Sequence, residues 1–183
     1  MKLPELVPFT EADIDRLISW VPSLRTLQFW TASSFAFPLT REHLVGHIRD
    51  AAEQGDRLIF KVIDPETREP FGHVELGAIN PSNRSTRIGR VLIDPALKGR
   101  GYGVKLMHAA MAKAFDEMSM HRVDLWVFDF NSRAIACYER AGFRHEGKCR
   151  DFFRMGDEYW SMLIMSVLEE EWRSLRSASD QRA

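Results

Sequence analysis

Apolar positions along this chain alternate between two periods, and the switches mark its elements. Residues 57–64 alternate apolar and polar, a strand closed by the turn Asp64-Pro65-Glu66-Thr67-Arg68. Residues 71–79 alternate again, with Val74, Leu76 and Ala78 on one face and His73, Glu75 and Gly77 on the other. Asn80-Pro81-Ser82-Asn83 turns the chain into a third strand over 85–94, and such short connections predict an antiparallel meander. The period then lengthens: Val104, Met107, Met111, Ala114, Phe115 and Met118 fall at helical spacing. Val123, Leu125 and Val127 restore a strand over 122–129, and a helix over 131–141 is stopped by Gly142. Residues 143–154 and 159–169 close as a hairpin around Met155-Gly156-Asp157-Glu158. Ahead of residue 57 the pattern predicts a short strand at 3–9 and a helix at 11–20, capped by Thr10 with Asp13 three positions on. Two more helices follow, at 24–30 and, between a Thr40 cap and Gly55, at 41–54. The sum is an α/β (α+β) chain, a mixed and mostly antiparallel sheet of about six to seven strands flanked by helices.

The segment Phe29-Trp30-Thr31-Ala32-Ser33-Ser34-Phe35-Ala36-Phe37-Pro38 is dense in aromatics. Its rings serve either as core filling or as a substrate-side wall or lid, since aromatics on a loop are harder to bury than those on a helix face. His43 and His47 stand four apart on the next helix, the spacing of a zinc pair. A zinc hydrolase carries glutamate directly after the first histidine; Leu44 stands there, no third ligand is evident, and no metal is expected.

Composition adds limits. The chain has 183 residues, 45% hydrophobic and 28% charged, with a net charge of -1, enough for one globular domain with a sizeable core. Near-neutral charge argues against nucleic acid as a partner. Cys137 and Cys149 make no disulfide framework, no apolar run reaches membrane length, and residues 1–4 carry no signal-peptide pattern. We therefore expect a single cytoplasmic domain over residues 1–173, with a polar tail at 174–183 that frays.

Candidate chemistry concentrates where the third strand meets the first long helix. Val91-Leu92-Ile93 ends a buried strand, Asp94-Pro95 breaks it, and Lys98-Gly99-Arg100-Gly101-Tyr102-Gly103 leads into the helix at Val104. Glycines let the backbone approach a ligand and adopt φ values that other residues avoid. The unpaired N–H groups of the first helical turn then face an anion, and Lys98 and Arg100 add positive charge at the rim. Three ligands compete for such a turn. A nucleotide P-loop requires Lys-Ser/Thr after its last glycine, absent here. A dinucleotide fold requires G-x-G-x-x-G early in a βαβ unit, and here the spacing is one residue short. The third candidate is the pyrophosphate of coenzyme A.

Two segments carry a family resemblance. VLIDPALKGRGYG, residues 91–103, resembles the acetyl-CoA signature of the GNAT superfamily of N-acetyltransferases, a Gln/Arg-x-x-Gly-x-Gly/Ala turn after a hydrophobic strand. Lys98 stands where Gln or Arg is usual and keeps the charge of an arginine. Downstream, Asn131, Ala134, Tyr138, Gly142 and Phe143 fit the family's N-x-x-A-x-x-x-Y-x-x-x-G-F element. The resemblance implies the GNAT fold over most of the chain from about residue 57 onward, with acetyl-CoA as cosubstrate. His145–Asp151, Gly156, Asp157 and Met165–Leu168 are similar to the RimJ/RimL-like and spermidine acetyltransferase-like branch. That branch acetylates protein N-terminal amines, polyamines and other small amines. Glu169-Glu170-Glu171 reads as attraction for a cationic substrate or, more blandly, as a solvated face. A homodimer touching through the aromatic loop or the last strands is compatible with the pattern.

The resemblance also assigns roles. The strand Val91-Leu92-Ile93 presents backbone groups to the acetyl and pantetheine, and the turn from Lys98 to Val104 holds the diphosphate. Asn131 and Ala134 contact the cofactor, although Asn131 is equally a good N-cap. Tyr138 matches the family's acid for the departing thiolate, against the plain reading of a core aromatic on a helix face. Glu75 is the candidate base, with His73 on the same face, against the reading of a paired strand charge; Asp94 and Asp129 are weaker candidates. Two other functions remain open on the sequence alone: a non-catalytic acyl-CoA sensor on the same fold, and a dinucleotide-dependent oxidoreductase.

Overall fold

The computed structural model describes residues 2–32 and 34–180. Its strands are β1 (Glu5–Pro8), β2 (Leu58–Ile63), β3 (Pro70–Asn80), β4 (Ser85–Ile93), β5 (Arg122–Phe128), β6 (Arg144–Met155) and β7 (Glu158–Leu168). Its helices are α1 (Ile14–Ser19), α2 (Leu24–Thr31), α3 (Arg41–Gln54), α4 (Tyr102–Ala112), α5 (Ser132–Ala141) and α6 (Glu169–Asp180). The strands form one sheet in the order β1-β2-β3-β4-β5-β7-β6. Every neighbouring pair is antiparallel except β4–β5. A parallel pair needs a long crossover, and α4 provides it by packing back over the sheet.

Both faces of the sheet are covered. On one, Val74, Leu76, Ile88, Val123, Leu125 and Met165 meet Leu106, Met107, Ala110 and Met111 of α4. On the other, Ile14, Leu17, Leu27, Trp30 and Leu44 of the first three helices form a second cluster that takes in Leu92. This double cover corrects the expected two-faced β3: Val74 and Leu76 are buried, yet His73 and Glu75 opposite are buried as well, beneath the N-terminal helices. Ala78 drops out of the alternation, because the register with β4 slips between Gly77 and Asn80 and Ala78 has φ 48.

Two elements depart from expectation at their ends. The helix expected at 11–20 opens as a 3-10 turn, Glu11–Asp13, before α1. Asp13 holds that turn by accepting from the Thr10 amide at 3.0 Å and from Lys61 Nζ at 2.8 Å. The tail expected to fray from Ser174 is instead helical through Asp180. Trp172, 2% exposed, hydrogen-bonds Asp116, and Leu175 fills the space where a Cβ on Gly142 would sit. Two apolar anchors thus outweigh a polar composition; residues 181–183 lie outside the described residues.

Candidate active site

The ladder between β4 and β5 is short. Ser85, Thr86 and Arg87 pair with Arg122, Val123 and Asp124, and beyond those three pairs the strands diverge. A bulge reinforces the divergence: Glu75 faces Gly89 and His73 faces Leu92, so β4 spends three steps where β3 spends two. Arg90, within the bulge, has φ 44, a strained value for a residue with a side chain. Two side chains grip it there. Trp30 Nε1 donates to the Arg90 carbonyl at 2.7 Å, and His73 Nδ1 donates to the same oxygen at 2.9 Å.

The gap opens into a cleft of about 710 Å³, within the usual size of a ligand pocket. Val91, Leu92, Ile93, Lys98, Gly99, Gly101, Gly103, Val104, Asn131, Ala134 and Tyr138, all expected from sequence, line it. Gly99 and Gly101 have φ 86 and 83, so the turn does require glycine, and Gly101 precedes the first residue of α4. Gly103 serves a different need: a Cβ there would sit 2.8 Å from Cys137 Sγ, so its lack of a side chain lets α4 and α5 close on each other. Arg100 and Tyr102 are not among the walls. The Tyr102 ring packs on Phe71 at 4.8 Å, and its hydroxyl lies against Asp64.

Sequence reasoning missed Thr26, Leu97, Arg133, Cys137 and Arg140, which also line the cleft, and left Phe29 and Trp30, which line it too, open between core and wall. Periodicity carried the signal. Arg133, Cys137 and Arg140 fall at i, i+4 and i+7 on the stripe of α5 that faces the glycine turn, and Thr26, Phe29 and Trp30 at i, i+3 and i+4 on α2. Lys98, Arg133 and Arg140 give the cleft three cations, suited to a polyphosphate ligand.

Tyr138 lies where this cleft meets a second one. The second cavity, about 160 Å³, sits between the diverging strands and shares Phe29, Trp30, Val91, Asn131 and Tyr138 with the first. Desolvation pushes the Tyr138 phenol above the ordinary tyrosine range, with the neighbouring Cys137 adding to it. Among the described residues no side chain or backbone group hydrogen-bonds its hydroxyl. Asn131 caps α5 by accepting from the Ala134 amide at 3.3 Å.

Glu75 stands apart from both cavities. Its carboxylate accepts from His47 Nε2 at 2.8 Å and from Arg90 Nη1 at 2.6 Å, with His73 Nε2 at 3.9 Å. Desolvation alone would raise its pKa; the His47 hydrogen bond and the Arg90 charge win and lower it to about 2. A carboxylate so committed is a feeble base. His73, fully buried, is held below the ordinary histidine range by desolvation. Asp94 accepts from the Ala96 amide at 2.8 Å, and Asp129 pairs with Lys148 at 2.6 Å. His43 serves the cap of α3, its Nδ1 accepting from the Thr40 amide at 3.2 Å.

The aromatic segment divides between core and wall. Phe35 stacks on Trp30 at 6.3 Å and meets His47 edge-on at 5.4 Å, Phe29 and Trp30 face both cavities, and Phe37 is 45% exposed. Ser33 lies outside the described residues.

Residues 21–143 match the model of the acetyltransferase (GNAT) family. The chain belongs to that family. A GNAT protein is an acetyltransferase with acetyl-CoA as acyl donor, and the cleft fits that donor: three cations, two positive-φ glycines before a helix, and an apolar strand alongside. The spermidine N(1)-acetyltransferase of Vibrio cholerae is 26% identical over 147 residues, 80% of this chain and 82% of that one. The putative ribosomal N-acetyltransferase YdaF of Bacillus subtilis is 29% identical over 101 residues, 55% of each. The crystal structure of the Vibrio cholerae spermidine N-acetyltransferase in complex with CoA and spermine superposes with a TM-score of 0.81 at 22% identity, covering 93% of this chain and 98% of that one; the fold is shared. No described helix is long and apolar enough to cross a membrane.

Proposed function

We propose that this GNAT protein transfers an acetyl group to the primary amine of a small molecule by direct attack on the thioester, in the cytoplasm, where its two free cysteines stay reduced. The observation that carries the reading is the shared wall: one cleft suits CoA, a second suits an amine, and they meet at Val91 and Tyr138. Relatives that act on spermidine set polyamines among the amines to test.

In this reading Lys98, Arg133, Arg140 and the amides at the start of α4 hold the diphosphate. The edge of β4 freed by the bulge presents backbone groups to the thioester carbonyl as charge develops on it. The amine nitrogen bonds to the acetyl carbon, the C–S bond breaks, the amine gives up a proton and the thiolate gains one. Tyr138 supplies that proton; its raised pKa keeps it loaded at every working pH. No carboxylate serves as base. The second cavity offers an arginine and, among the described residues, no carboxylate, so it disfavours an ammonium, lowers the acceptor's own pKa, and the proton leaves through water.

Thiol release with an amine panel tests the assignment. Tyr138→Phe should lower kcat by about 100-fold, the low end for a lost general acid. The rise in melting temperature on adding acetyl-CoA should persist. Unchanged turnover with chemistry rate-limiting defeats the role given to Tyr138.

A further inference from the structure

The second cavity has the wrong chemistry for a polyamine. Its walls are the rings of Phe29, Trp30, Trp126, Phe128, Tyr138 and Phe153, with Asn131 as a polar neighbour, and among the described residues its charged lining residue is Arg90. No carboxylate lines it among the described residues, and those nearby are committed elsewhere. Glu75 is bound to Arg90 and His47, Asp124 to Arg87 at 2.5 Å, and Asp129 to Lys148. Trp126 carries a cation on its face, the Arg87 guanidinium 4.2 Å from the ring centroid. The adjoining segment Thr31–Leu39 contains no acid.

A polyamine brings at least one ammonium besides the reacting nitrogen. Here that charge would be desolvated with no anion to pair with and an arginine beside it, and burying an unpaired charge is among the costliest acts in a protein interior. An aryl group meets the opposite situation. The rings form a continuous cluster, with Phe128–Trp160 at 5.0 Å, Phe128–Phe153 at 6.0 Å and Phe29–Phe128 at 6.2 Å. A volume of about 160 Å³ is close to that of an apolar cavity known to admit benzene. Aromatic walls also favour edge-to-face contact with a further ring.

Resting on the reading of this cavity as the acceptor site, we infer that the acceptor is a primary amine on a single aryl or compact apolar body, without a second cationic centre.

The test compares 2-phenylethylamine with spermidine on the 183-residue chain. With acetyl-CoA, kcat/KM for 2-phenylethylamine should exceed that for spermidine by about 100-fold, the factor expected from burying a phenyl-sized apolar area. With CoA in place of acetyl-CoA, 2-phenylethylamine should raise the melting temperature further and spermidine should not. Phe153→Ala should lower kcat/KM for the arylamine by about 10-fold or more while the acetyl-CoA shift persists. Phe153→Glu, which gives the cavity an anion, should move the preference toward spermidine. Spermidine turned over as well as 2-phenylethylamine overturns the inference. So does an arylamine without turnover or shift when acetyl-CoA still raises the melting temperature, or acetylation confined to peptide amines. Absence of any acetyl-CoA shift instead brings down the acetyltransferase reading itself, and the inference with it.

Discussion

Burial acts on Glu75 and Tyr138 in the same sense, and their surroundings decide opposite outcomes. Each is pushed toward its neutral form by loss of water. For Tyr138 nothing opposes that push, and the phenol keeps its proton. For Glu75 the hydrogen bond from His47 and the charge of Arg90 reverse it, and the carboxylate stays ionised down to about pH 2. A carboxyl pKa depressed in the folded state stabilises the fold above its ordinary value of 4.5, and that contribution fades as pH falls toward about 2. Glu75→Gln should therefore cost about 3–5 kcal/mol at pH 7, the range for breaking a buried pair. Urea unfolding at pH 7 and pH 3 should show the gap between the two proteins shrinking in acid. A gap of equal size at both values would show that the ion pair is not its source. Neither environment is legible in the alternation of β3, which shows only that His73 and Glu75 share a face. The pairing depends on α3 and on a bulge whose partners are far apart in sequence.

Among the elements, β4 is the one most shaped by remote contacts. Its apolar end and the glycine turn after it are plain in the sequence, because both obey local rules of period and turn chemistry. Its bulge is not, since Arg90 is held at φ 44 by Trp30 from α2 and His73 from β3. Trp30→Phe keeps the ring and removes the N–H. With His73 alone on the carbonyl, kcat should fall by about 5–10-fold, one ordinary hydrogen bond, while KM for acetyl-CoA changes little. A change confined to KM would make Trp30 a wall and nothing more. The contact of α4 with α5 is equally specific. Gly103→Ala sets a Cβ 2.8 Å from Cys137 Sγ, so the thiol or the helix must shift. Weakened acetyl-CoA binding in Gly103→Ala should recover in the double variant with Cys137→Ala, measured by thermal shift. Failure to recover would place the fault in the turn itself. The N-x-x-A-x-x-x-Y spacing reveals Tyr138, whereas Arg133 and Arg140 needed the helical stripe drawn out two full turns.

At the scale of the molecule, the family and the mixed sheet could be read from two motifs and a pattern of periods, because the GNAT core is a run of local signals in fixed order. The substrate could not. The second cavity gathers Phe29 and Trp30 from α2, Trp126 and Phe128 from β5, Phe153 from β6 and Met162 from β7. No contiguous motif records such a set. The last helix was misjudged for a similar reason: its composition is polar, and its hold on the domain rests on Trp172 and Leu175, joined by ion pairs such as Arg176–Asp116 and Arg144–Glu171.

The three-pair ladder between β4 and β5 has a mechanical meaning. Past those three pairs the sheet is two leaves, four strands and three strands, hinged at one end like a book held partly open. A pantetheine arm lying between the pages would act as an eighth, borrowed strand. Backbone amides of residues 88–93 should then exchange hydrogen with solvent more slowly once acetyl-CoA is added, while those of residues 58–63, deep in the first leaf, keep their rate. Equal rates with and without it would mean that the pages never needed a bookmark.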